Sequence, residues 1–61
     1  ARLYNELGRY AKAIVDATQV IEIDSDNGEA YFYRAFANNK LGLKSQAVKD
    51  TAKANQFGFK G

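Results

Sequence analysis

The 61-residue chain contains no cysteine, no histidine, no proline and no methionine. Each absence closes off a class of function. Without cysteine there is no disulfide framework, and without cysteine and histidine the usual zinc sites are gone. Those two residues are also leading acid–base and nucleophilic groups, so only carboxylate pairs or lysine would remain for catalysis. No metal or cofactor site is expected, and no enzymatic activity within these residues. No stretch approaches the roughly 20 apolar residues a membrane span requires, and no signal peptide is visible. A soluble chain without membrane insertion is expected, with a cytoplasmic location favoured, although a lack of cysteine fits either redox compartment. Position 1 is alanine rather than methionine, from which the chain is expected to be a piece of a longer protein.

Net charge is also small. The net value is +2, too small by itself to imply a polyanion partner, but it is unevenly spread. Residues 1–27 carry three basic side chains (Arg2, Arg9, Lys12) against five acidic ones (Glu6, Asp16, Glu22, Asp24, Asp26), giving −2. Residues 28–61 carry six basic against two acidic, giving +4.

What is present is a repeat. Displaced by 34 residues, Asn5 falls on Asn39, Leu7 on Leu41, Gly8 on Gly42, Ala13 on Ala47 and Asp16 on Asp50. Ile14 over Val48 and Ala11 over Ser45 are near-matches in the same frame. A fixed period of this size marks stacked supersecondary units, which mainly present a surface for binding. Such units usually need three or more copies for stability, and a chain this short buries only about 60% of its unfolded surface. Neighbouring repeats or a second copy of the chain are therefore expected to cover exposed ends.

With proline absent, glycine alone punctuates the chain. Gly8, Gly28, Gly42 and Gly58 divide it into helix-sized segments, as glycines at helix ends do. The predicted segments are 1–7, the tail of a helix, then 10–23, 29–41 and 45–57. The second shows Ala13, Ile14, Ala17, Val20 and Ile21 at amphipathic helical spacing. Asp26 and Glu29 match a capping box that would open the third. That third segment is aromatic around much of its girth, with Tyr31, Phe32, Tyr33 and Phe36, and so expects neighbours on more than one side. In the fourth, Ala47, Val48, Thr51 and Ala54 share a face. No segment shows sustained alternation of period two, so an all-α fold of antiparallel helix hairpins is expected.

These residues together resemble the tetratricopeptide repeat, whose 34-residue helix-turn-helix units carry large residues on the first helix and small ones on the second. The best match runs through Ala30-Tyr31-Phe32-Tyr33-Arg34-Ala35, Lys40-Leu41-Gly42 and Gln46-Ala47-Val48-Lys49-Asp50. In the first copy Tyr4, Leu7-Gly8-Arg9-Tyr10, Lys12-Ala13-Ile14 and Ile21-Glu22-Ile23-Asp24 fit the same pattern. The resemblance covers essentially the whole chain, as the latter part of one repeat (1–27) and a second repeat (28–61). The chain departs from the pattern where Ser25 and Phe59 replace the usual closing proline, Asn38 an aromatic on the first helix, and Ala17 and Thr51 an aromatic on the second.

The resemblance implies an α-solenoid fragment that acts as a protein-interaction module or scaffold, with a peptide or protein segment lying along the concave face of the first helices. That face would hold Glu29, Phe32, Tyr33, Phe36, Asn39 and Lys40, with Arg2, Asn5 and Glu6 from the first copy. Asn5 and Asn39, one period apart, would stand side by side and hold a peptide backbone through their amides. Phe32 and Phe36 are either interface anchors or core, covered by a preceding helix or by a second copy in a homo-oligomer. Two other readings are self-association through this aromatic helix and a non-catalytic repeat domain of a larger enzyme. The branch of the family that grips chaperone C-termini is disfavoured, since Tyr33 and Arg2 stand where that branch places asparagines.

Other features have plainer readings. Lys44, Lys49, Lys53 and Lys60 form a basic stripe, but the interleaved aromatics expected of a single-strand binder are missing, so nucleic acid is not the expected partner. Asp16 and Asp50 occupy equivalent positions, which suggests a structural or solubilising job rather than a paired acid and base. Asp24, Asp26 and Glu29 surround a turn where capping accounts for them, and they do not follow a calcium-loop spacing. Arg34 is expected to serve a structural ion pair or to stack.

Overall fold

The computed structural model describes the backbone of residues 2–59 and the side chains of residues 7–59. Among the described residues there are three helices and no strand: α1 (Arg2–Ile23), α2 (Gly28–Lys40) and α3 (Lys44–Gln56). The middle helix packs against both others, and among the described residues those two do not pack against each other. This agrees with the aromatic girth of α2. Tyr31, Ala35 and Asn38, one expected face, are all buried.

Alanine makes most of the core. Ala17, Ala30, Ala35, Ala37, Ala47 and Ala54 are buried, and Tyr31 is the one large hydrophobic residue among the buried ones described. Small side chains let the helices approach closely but remove little apolar area each. A core of this kind is thin, so polar and aromatic contacts matter more than usual.

The turn between α2 and α3 forms as the Leu41-Gly42 pair predicts. Gly42 has φ +81, the left-handed conformation glycine adopts without a Cβ penalty. Its N–H donates to the Asn39 carbonyl at 3.1 Å, and the Leu43 N–H donates to the Asn38 carbonyl at 2.8 Å. This pair of bonds defines the Schellman cap. The same cap recurs at the end of α3, where Gly58 has φ +84. There the Gly58 N–H donates to Asn55 at 3.0 Å and the Phe59 N–H to Ala54 at 2.9 Å.

The structure corrects the sequence reading in three places. First, no turn forms at Gly8, because α1 runs unbroken through it. Keeping the helix straight there costs only the poor helix propensity of glycine, about 1 kcal/mol. Turning would leave residues 2–7, under two helical turns, to recover the lost hydrogen bonds by packing alone. Second, the cap of α2 is Asn27 rather than Asp26: its side chain accepts a hydrogen bond from the Ala30 N–H at 3.0 Å. Third, of the shared face Ala47, Val48, Thr51 and Ala54, α3 buries only the two alanines, together with Asp50. Val48 is 68% exposed and Thr51 is exposed, because α2 covers α3 from one side only.

The straight α1 yields a direct check. A Cβ added at Gly8 would meet nothing within 4 Å. Gly8→Ala is therefore expected to stabilise the chain by about 0.5–1 kcal/mol, raising the melting temperature by roughly 2–8 °C. Were Gly8 in a left-handed turn, the same change would destabilise, so the sign of the shift in a thermal melt decides.

Candidate functional site

The free side of α2 carries the side chains that the sequence singled out. Asn27 caps its start, Glu29 lies in its first turn and Lys40 in its last, placements that favour the helix dipole at both ends. Between these charges Tyr33 is 52% and Phe36 50% exposed, three residues apart and so neighbours on the helix surface. Lys40 Nζ sits 5.3 Å from the centre of the Phe36 ring, within cation–π range. Tyr10 of α1 meets Phe36 edge-on at 6.2 Å and 69°. Together these contacts hold Phe36 in place while leaving half of it uncovered.

Phe32 has a different role. Its ring lies 5.0 Å from that of Phe59 and 5.7 Å from that of Tyr33, and Tyr31 stacks beside Phe57 at 5.6 Å. The tail that leaves α3 thus folds over the start of α2, and Phe32 is half-buried within the chain. Asn39 is exposed and lines a shallow depression on the α3 side with Lys44, Ala47, Val48, Thr51 and Asn55. Tyr33 and Glu29 instead line a groove on the α1 side. The expected strip is therefore shared between two grooves, and Phe36 and Lys40 line neither.

The side chains of Arg2, Asn5 and Glu6, and Lys60 of the basic stripe, lie outside the described residues. The expected pairing of Asn5 with Asn39 therefore falls outside the described side chains. Lys44, Lys49 and Lys53 are exposed.

Beneath this surface lies a polar network that ties all three helices together. Arg34 of α2 donates from Nε to Asp50 Oδ2 at 2.9 Å and from a terminal nitrogen to Asp50 Oδ1 at 2.9 Å, a bidentate pair with α3. Its other terminal nitrogen donates to Thr18 Oγ1 of α1 at 3.2 Å. Asn38, buried on α2, donates to Asp50 Oδ2 at 2.8 Å. The guanidinium also lies 5.4 Å from the centre of the Tyr31 ring. Arg34 thus has the structural pairing and stacking that its spacing from Tyr31 and Asn38 suggested. The hydrogen bonds that the guanidinium donates to the Asp50 carboxylate raise its pKa, against the opposing effect of burial. A group whose pKa is raised on folding contributes fully below its unfolded pKa and loses the contribution only as pH climbs through the folded one. This stabilisation is therefore constant across neutral pH.

Sequence reasoning missed two features. Phe57 and Phe59 were visible only as a helix end and a missing proline, yet they close the aromatic cluster. The α1–α2 groove was also not foreseen, although the equivalence of Asp16 with Asp50 pointed to it. Among the described residues no three acidic side chains stand together as metal ligands, and no helix is long and apolar enough to cross a membrane. No protein-family model, curated protein or solved structure matches the chain.

Proposed function

We infer that the chain is a protein-interaction module resembling the tetratricopeptide repeat, and that it takes a peptide or protein segment along the free face of α2. The observation that carries this reading is the pair Tyr33 and Phe36, each about half exposed, side by side on a helix otherwise packed on two sides. Aromatic side chains supply large contact area at low entropic cost, which makes them frequent anchors of interfaces. Glu29 and Lys40 give the face an acidic and a basic end, which would orient a partner of the opposite polarity. The α2–α3 hairpin with its Leu41-Gly42 turn supports the family resemblance, while the straight α1 departs from it. The module has no catalytic role in this reading.

Peptide display selection on the immobilised chain tests the proposal. Selected peptides are expected to lose about tenfold or more in affinity against Phe36→Ala and Tyr33→Ala, in line with typical anchor truncations. The circular dichroism of both variants should stay native. Failure to enrich any sequence, or binding indifferent to both substitutions, would remove the α2 face from consideration. Self-association through α2 is less well supported, because Phe32 is already engaged by Phe59 and Tyr33 within one chain. A dimer in sedimentation, dissociated by Phe36→Ala, would restore it.

A further inference from the structure

The 34-residue period places matching residues in contrasting surroundings. On α3, Ala47, Asp50 and Ala54 are buried beneath α2. One period earlier on α1, Ala13, Asp16 and Val20 line an open groove of about 420 Å³, with Tyr33 and Glu29 on its far wall. The covered position shows what such a face accepts. There Asp50 is held by the two-pronged Arg34 contact, with both distances at 2.9 Å. In the open groove Asp16 is exposed, and among the described residues no ion pair or side-chain hydrogen bond engages it.

We propose that this groove docks an amphipathic helix of a partner protein, with an arginine of that helix set on Asp16 and its small apolar face on Ala13, Ala17 and Val20. The chain supplies the template, since α2 itself is a helix that presents Arg34 and alanines to the equivalent face of α3. The charge also fits. Asp16 and Glu29 place a carboxylate on each wall of the groove, which repels an acidic occupant and attracts a cationic one. A guanidinium matches a carboxylate with two parallel hydrogen bonds, which lysine cannot do.

Two occupants from the chain itself fit less well. Arg34 of a second copy is already committed to Asp50 and Thr18, so docking would have to break that network. The front of α1 continues straight through Gly8, and its arginines, Arg2 and Arg9, stand in the frames of Phe36 and Leu43 rather than of Arg34. The groove shares Tyr33 and Glu29 with the α2 face described above but not Phe36, which tells the two apart.

The test titrates a capped synthetic peptide of residues 28–41, which carries Arg34, into the isotopically labelled full chain. Amide shifts are expected at Ala13, Asp16, Ala17 and Val20. Affinity should fall about tenfold or more when the peptide carries Arg34→Ala or the chain carries Asp16→Asn, the loss typical of one charge-assisted contact. Asp16 is exposed, so Asp16→Asn should melt like the parent chain. Phe36→Ala in the chain should leave this binding unchanged, which separates it from the α2 reading. Shifts centred on Ala47 and Asp50 would show that the peptide displaces the chain's own α2, and would overturn the proposal. So would an absence of shifts at millimolar peptide, or affinity indifferent to Asp16. Self-association lost on Asp16→Asn would assign the groove to a second copy. Spin labels at positions 3 and 20 reporting a folded-back α1 would assign it to the chain's own front.

Discussion

Asp50→Ala is expected to lower the melting temperature by about 12–24 °C, the shift that roughly 3 kcal/mol produces in a domain of this size. The Asp50 side chain is only 7% exposed and accepts three hydrogen bonds, two from Arg34 and one from Asn38. Hydrogen bonds to charged groups contribute about 1.5–3 kcal/mol, and a buried donor left unpaired adds its own penalty. Asn38 is 5% exposed and would be left in that condition. Arg34 would suffer less, since it can still reach water and Thr18. The loss is large against the whole, because a chain of this length has on the order of 3–9 kcal/mol of stability in total.

Two comparisons make the Asp50 prediction specific. Asp50→Asn keeps the size and one acceptor, and should fall between the parent and Asp50→Ala. Changing both partners, as Arg34→Met with Asp50→Leu, should cost less than the sum of the two single changes, because an apolar pair can stand in for a buried ion pair, while the part of the loss due to Asn38 stays. Additive losses in the double variant would mean that the two residues do not act as a unit. The network also explains how a core built from alanine holds three helices. Arg34 contacts α1 and α3 at once, where among the described residues those helices do not pack on each other.

Much of this architecture can be read from the residues, and the failures have local causes. The aromatic girth of α2 announced a central helix, and Leu41-Gly42 announced its end. The same dipeptide at Leu7-Gly8 misled, because glycine permits a left-handed turn without requiring one. A Schellman cap commonly gains from an apolar residue after the glycine. Leu43 fills that place in the second copy, whereas Arg9 fills it in the first. Arg34 and Asp50 were legible as structural residues, but sixteen positions apart they gave no sign of being partners. The candidate surface was partly legible. Tyr33 and Phe36 are each about half exposed, whereas Phe32, for which the sequence left the same alternatives open as for Phe36, is drawn inward by Phe59, a contact between distant positions that no local pattern encodes. The groove at Asp16 became visible only when the repeat and the structure were set together, since burial is what distinguishes Asp50 from its counterpart.

Gly28→Ala is expected to cost about 2 kcal/mol, typical of overpacking at a close contact, and to lower the melting temperature by roughly 8–16 °C. The sequence presents Gly28 as a helix boundary, yet its φ is not positive and it is the first residue of α2. At such a position alanine would ordinarily be neutral or slightly stabilising. Space is what forbids it here. A Cβ at Gly28 would lie 2.9 Å from Phe59 Cβ and 3.1 Å from the Ala54 carbonyl oxygen, with Phe57 Cβ at 3.4 Å. None of these atoms is the free end of a flexible side chain, so the tail after α3 must shift as a unit. That shift would pull Phe59 from Phe32 and Phe57 from Tyr31, and the near-ultraviolet circular dichroism of the tyrosines should weaken with the melt. The contact is with a Cβ, so Phe59→Ala should not relieve the clash. Phe59→Gly removes that Cβ, and in a double-mutant cycle it should show a smaller added cost for Gly28→Ala than the parent does. A rise in melting temperature for Gly28→Ala would place the tail away from α2, and the aromatic closure of the fold would have to be abandoned.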